Sequence, residues 1–258
     1  MSLRPRALIT GASSGLGRGY ARTLAAEGYD LVLVARDEAR LSVLAEQLQT
    51  AQNIHAEVAV ADLSTRDGID AVIDIIATQP VDVLINNAGF GLRGTLLDTD
   101  IAELNDQDRV LTVAVRELSL AAARRMQARG RGGVINVSSL AAVTTMGQYA
   151  ASKASTLVFT EALAGELKDS PVTVTVVLPG FVRTEFHSRL GVERPGPGLI
   201  WLGVDQVVRE SLRDARAGRV VSVPGWGYRL AALAAPAVPR PLMRWGSTGF
   251  SFARSRRR

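Results

Sequence analysis

Along the chain, short runs of β-branched and leucine-rich residues alternate with longer stretches whose apolar positions recur every three or four residues. The runs are RALIT (6–10), DLVLVAR (30–36), HAEVAVAD (55–62), VDVLINN (81–87), GVINVSS (133–139), VTVTVVLPG (172–180) and RVVSVPG (219–225), and their length and composition predict seven strands. Between them, residues 15–28, 37–51, 65–78, about 103–129, about 148–168 and 204–217 carry a helical period, as in Leu41, Leu44, Ala45 and Leu48, and predict six helices. Strands that stay apolar through consecutive positions must be covered on both faces, which implies a parallel sheet. With right-handed crossovers the result is one α/β domain, a doubly wound seven-stranded parallel sheet with helices on both faces.

Two stretches break this rhythm. Residues 181–203, FVRTEFHSRLGVERPGPGLIWLG, mix Gly and Pro with scattered large apolar side chains, the composition of a flap over a cleft. Residues 226–258 form a Pro- and Arg-rich extension beyond a unit of 1–225; Pro236, Pro239 and Pro241 prevent one long helix there. The prolines favour an arm packed on its own domain or a neighbouring subunit over the sharper alternative, a peripheral membrane contact through Trp245, Phe250 and the arginines.

Candidate chemistry lies where strands end. The first runs into TGASSGLG, residues 10–17, where glycines permit a sharp turn and a helix start whose amides favour an anion. Its spacing, G-x-x-x-G-x-G, differs from the dinucleotide fingerprint, so the residues alone argue only for a phosphate-binding turn. In GQYAASKAS, residues 147–155, Tyr149 and Lys153 are one helical turn apart and share a face.

TGASSGLG after the first strand, NNAG (86–89) after the fourth, a serine ending the fifth, YAASK (149–153) opening the next helix and PGFVRT (179–184) after the sixth together resemble the short-chain dehydrogenases/reductases, over roughly residues 5–225. The resemblance implies a Rossmann-type fold and a nicotinamide-dependent oxidoreductase interconverting a carbonyl and a secondary alcohol. In it Tyr149 is the general acid/base, Ser139 bonds the substrate oxygen, and Lys153 lowers the phenol's pKa and binds the nicotinamide ribose. It further implies cofactor contacts from Gly11, Ser13, Ser14, Gly15, Leu16, Gly17, Asp62, Leu63, Asn87, Ala88, Gly89, Pro179, Gly180, Val182 and Thr184, besides Tyr149 and Lys153. NAD-preferring members tend to be acidic at the end of the second strand; here Ala35 and Arg36 stand there, and a guanidinium suits a 2′-phosphate, so NADP(H) is expected over NAD(H). Asp37 is read as a helix cap. The apolar flap residues Phe181, Phe186, Leu190, Leu199, Ile200 and Trp201 point to a largely apolar substrate. The other reading the motifs leave is a cofactor-binding regulatory or sensing protein of the same fold.

The chain departs from this family in two places. An asparagine common in the long helix before the fifth strand, where it helps relay a proton from Lys153, is replaced by Ala114 as the segment VLTVAVREL is aligned. The Ser139–Tyr149 separation is about three residues shorter than usual, which leaves Ser138 as a competitor.

Composition removes other classes. The chain of 258 residues has no cysteine and only His55 and His187, which excludes a disulfide framework, a thiolate metal site and a histidine-rich metal cluster. The net charge of +5 gathers in a tail where Arg254, Arg256, Arg257 and Arg258 fall in the last five residues. No basic stripe interleaved with aromatics is present, so nucleic acid is not an expected partner. No stretch approaches the length of a spanning helix. The expectation is a cytoplasmic protein with a small-molecule substrate, assembling as a homo-oligomer through the two long helices, as family members often do.

Overall fold

The computed structural model describes residues 4–186, 198–239 and 241–244. All seven expected runs form strands: β1 (Arg6–Thr10), β2 (Asp30–Ala35), β3 (Ala56–Val60), β4 (Val83–Asn86), β5 (Gly132–Val137), β6 (Val172–Val177) and β7 (Val221–Ser222). They build one all-parallel sheet in the order β3-β2-β1-β4-β5-β6-β7. Alternation along each strand feeds two separate cores. Ala7, Ile9, Leu31 and Leu33 point to one face and Leu8, Val32 and Val34 to the other, all of them fully buried. The runs therefore look continuously apolar although the strands are pleated. Leu33→Ala in this packing should cost about 2–5 kcal/mol.

Helices α1 (Gly15–Ala26) and α2 (Glu38–Gln52) cover the first face, joined by the later Val204–Arg216 helix. The second face is covered by α3 (Arg66–Thr78) and, beyond α4 (Ile101–Asp108), by α5 (Ala114–Arg129) and α6 (Gly147–Glu166). The Val204–Arg216 helix is thus α7, and α8 (Trp226–Ala234) follows β7. As expected, the Asp37 carboxylate caps α2, accepting from Arg40 N at 3.0 Å. Because β2 and β3 lie on one side of β1 while β4 starts the other half, connections leave β1 and β4 in opposite directions. The crevice opens at their carboxyl ends.

Two elements differ from the sequence reading. The segment read as one helix over about 103–129 is interrupted by a π turn, Arg109–Val113. Its neighbours supply the cause: Thr112 donates to the Asp108 carboxylate at 2.8 Å, and the Thr156 hydroxyl of α6 takes the Leu111 carbonyl at 2.8 Å, so side chains hold the widened turn. The second is α8, which the reading of 226–258 did not anticipate. The three prolines follow this helix and limit its length rather than forbid it.

Candidate active site

The β1–α1 turn is built by contact with the β4 end. Thr10 Oγ1 accepts from the amides of Asn87 and Ala88 at 2.9 and 3.0 Å, and the Asn87 amide group donates to Thr10 O at 3.0 Å. Gly11, at φ +66°, has no space for a side chain: a methyl there would lie 2.8 Å from Ala88 Cα. Gly17 is equally crowded, its missing Cβ falling 2.6 Å from Asn87 Nδ2. Ser14 caps α1 in an extended conformation without a side-chain bond to the helix amides, and no acid occupies the first turn. The α1 N-terminus thus presents its amides to the crevice.

The crevice is a cavity of about 880 Å³ lined by Gly11, Ser13, Ser14, Gly15, Leu16, Arg36, Asp62, Leu63, Asn87, Ala88 and Gly89 at one end and Ser139, Tyr149, Lys153, Pro179, Gly180, Val182 and Thr184 toward the other. Among the expected cofactor residues Gly17 is the exception: it does not line the cavity, and its smallness serves the packing of α1 against the β1 turn. The close-packed glycine turn and the Arg36 guanidinium in the lining fit a dinucleotide.

At the β5 end both serines border the cavity, but their hydroxyls have different partners. Ser138 is buried and its hydroxyl donates to Lys153 O at 2.7 Å, which ties β5 to α6. Ser139 faces the cavity; its hydroxyl accepts from Ala141 N at 3.1 Å and is hydrogen-bonded to the Tyr149 phenol. The connection between them is short because a 3₁₀ turn, Leu140–Val143, folds it compactly, and the pair meets despite the reduced spacing.

Lys153 is buried at 4% exposure, with its ammonium donating to Val137 O at 2.7 Å and lying 5.8 Å from the Tyr149 ring centre. Burial lowers its pKa to about 8. A lysine can be held this way because its ammonium sheds a proton when desolvated, which a guanidinium does not do. The expectation that Lys153 lowers the phenol's pKa is corrected here. Burial of Tyr149 pushes it up to about 12, with the Ser139 bond opposing.

Ala114, aligned with the family's asparagine, is buried in the core and does not line the cavity, whereas Val110 of the π turn does. A methyl added at Gly89 would sit 2.8 Å from Leu111 Cδ2 and 3.8 Å from Lys153 Nζ.

Arg36 stands at the far end of the cavity, 69% exposed and 3.7 Å from the Asp62 carboxylate. Although partial burial works against its charge, hydrogen bonds from Ser64 and the Arg36 guanidinium hold the Asp62 carboxyl below its ordinary range. Across the groove Arg40 of α2 pairs with Glu185 at 3.0 Å. The described ends of the flap are anchored: Val182 bridges Leu202, Leu202 N donates to Phe181 O at 2.9 Å, and Phe181 stacks on Trp201 with centres 5.2 Å apart. Phe186 lies 5.6 Å from the Tyr149 ring; Leu190 falls outside the described residues. Tyr228 of α8, which the sequence reading missed, closes this wall. It donates to Ile200 O at 2.6 Å, accepts from Phe181 N at 3.1 Å and lays its ring where a Gly180 side chain would be. Among the described residues no cluster of His, Asp or Glu could hold a metal ion, and no helix is long and apolar enough to cross a membrane.

A family model described as short chain dehydrogenase matches residues 5–194. The chain belongs to this family of oxidoreductases. A short-chain dehydrogenase of Sphingobium yanoikuyae, solved in complex with NADPH, is 33% identical with a TM-score of 0.83, covering 90% of this chain and 93% of that one. The bulky-bulky ketone specific alcohol dehydrogenase of Comamonas testosteroni is 30% identical with a TM-score of 0.80, covering 92% and 93%. The probable oxidoreductase EphD of Mycobacterium tuberculosis is 34% identical over 197 residues, 73% of this chain; this short-chain dehydrogenase spans about a third of EphD's length.

Proposed function

We propose that this protein is an NADP(H)-dependent oxidoreductase that interconverts a carbonyl and a secondary alcohol on a largely apolar substrate. The observation that carries the reading is the hydrogen-bonded pair of Ser139 and Tyr149 hydroxyls at the cavity wall, with the buried Lys153 ammonium behind them. Bound in the cavity, NADP(H) supplies or accepts the hydride. Ser139 orients the substrate oxygen, and Tyr149, a protonated phenol at neutral pH, gives that oxygen a proton during reduction. Lys153 adds positive charge to the wall where negative charge develops on oxygen. Arg36 would hold the 2′-phosphate, and its exposed pairing with Asp62 at 3.7 Å is weak enough to yield to a dianion. Phe181, Phe186, Leu140 and Met146 in the lining favour an apolar carbonyl compound, in keeping with the bulky ketones of the Comamonas relative.

The test is NADPH consumption with a panel of aliphatic and aromatic ketones and aldehydes. Turnover with bulky apolar ketones, faster with NADPH than with NADH, is expected. Tight NADPH binding without consumption across the panel would instead mark a sensing protein.

A further inference from the structure

Helix α8 has two unlike faces. Tyr228 looks into the cleft wall and Arg229 turns back to the Glu210 carboxylate at 2.8 Å and to Val223 O at 2.9 Å. On the other side Trp226, Leu230 and Leu233, spaced four and then three residues apart, form one stripe. They are 79%, 59% and 78% exposed, and no residue of the helix is buried. Leu242, farther on, is exposed as well. A stripe of a tryptophan and two leucines held outward by a helix clamped through its opposite face is an unusual surface for a lone domain.

Charge identifies what this surface fits. Residues 226–258 contain seven arginines and no acidic residue, so they exceed the chain's whole net charge of +5 and leave residues 1–225 net negative by two. The same stretch adds Trp245, Phe250 and Phe252. A second copy docking through the same stretch would offer no acidic residue from 226–258 to pair with these arginines. Nucleic acid would satisfy the arginines but leave the leucines in water. An anionic bilayer satisfies both, taking aromatic and leucine side chains into the headgroup boundary while its lipids pair with the arginines.

We infer that α8 forms a peripheral contact with an anionic lipid surface, through Trp226, Leu230 and Leu233. The cleft wall formed by Tyr228 then lies on the membrane side of the enzyme, near the layer where apolar carbonyl compounds collect. The inference does not depend on the catalytic reading.

The experiment is co-sedimentation of the full chain with vesicles of phosphatidylcholine alone and of phosphatidylcholine mixed with phosphatidylglycerol. Binding to the anionic vesicles should be at least ~10-fold tighter and should weaken with added salt, since each arginine near such a surface is worth roughly five-fold. The Leu230→Gln/Leu233→Gln variant should lose at least ~10-fold of that binding while its circular dichroism and NADPH affinity stay as they were. Replacing Arg254, Arg256, Arg257 and Arg258 by serine should lose more. Absence of binding to anionic vesicles would overturn the inference. So would binding indifferent to the leucine changes, or a leucine variant whose oligomeric mass falls while vesicle binding is absent in both proteins, which would give the stripe to a second copy.

Discussion

Adding one methyl group at Gly180 places a carbon inside the space of the Tyr228 ring. Gly180 does not adopt a left-handed backbone, so Gly180→Ala tests space alone. The ring cannot shift slightly: its hydroxyl is fixed between Ile200 O at 2.6 Å and Phe181 N at 3.1 Å, residues of the two strands of chain that form the flap's base. Displacing it forfeits two hydrogen bonds at about 1 kcal/mol each, and overpacking adds about 1–3 kcal/mol. Gly180→Ala should therefore destabilise by about 3 kcal/mol and lower Tm by about 6–12 °C for a domain of this size. Tyr228→Ala should cost about 2–3 kcal/mol through the same two bonds and the half-buried ring. Combining them removes the clash, so the double variant should fall within ~0.5 kcal/mol of Tyr228→Ala alone. Denaturant unfolding of the four proteins measures all three terms. A neutral Gly180→Ala, or strictly additive losses in the double variant, would refute the claim that Tyr228 clamps the PGF turn.

Arg36→Ala should shrink an NADPH over NADH preference of at least ~10-fold, about 1.4 kcal/mol, toward parity; direct titration with both cofactors checks this, and equal affinities in the unmodified protein would remove the assignment. Ser139→Ala should lower turnover on the order of 10²-fold or more with little change in stability, whereas Ser138→Ala should cost about 0.5–1.5 kcal/mol of stability through the lost bond from β5 to Lys153 O of α6; paired kinetics and unfolding curves distinguish them. Lys153 should titrate near 8 in the ligand-free protein, and because Lys153 and Lys168 are the chain's two lysines, ¹³C-lysine labelling reports it as one of two resonances. From this group stability rises with pH between about 8 and 10.5, where the unfolded chain still holds a proton the folded one has lost; a Lys153 midpoint at the ordinary value would contradict its buried geometry.

The strands were legible because each is apolar through and short, and residues such as Leu8 and Ile9 pack on opposite cores with equal completeness. Ser139 was legible from its place at the end of β5, while its meeting with Tyr149 across a short loop required the compact turn at Leu140–Val143. The π turn was not legible: the hydroxyl that takes its Leu111 carbonyl, Thr156, lies 45 residues away. Tyr228 left no local signal either, since its partners Gly180, Phe181 and Ile200 come from distant segments. The phenol's raised pKa follows from burial, a quantity that the spacing of Tyr149 and Lys153 does not contain.

Turnover of Tyr149→Phe, measured beside its NADPH affinity, tests the central claim most directly. The substitution removes one hydroxyl and keeps the ring against Phe186. The account predicts a loss of at least ~10²-fold in turnover with NADPH affinity within a few-fold of the parent. A variant that keeps most of its activity toward an apolar ketone would contradict the assignment of Tyr149 as the proton donor.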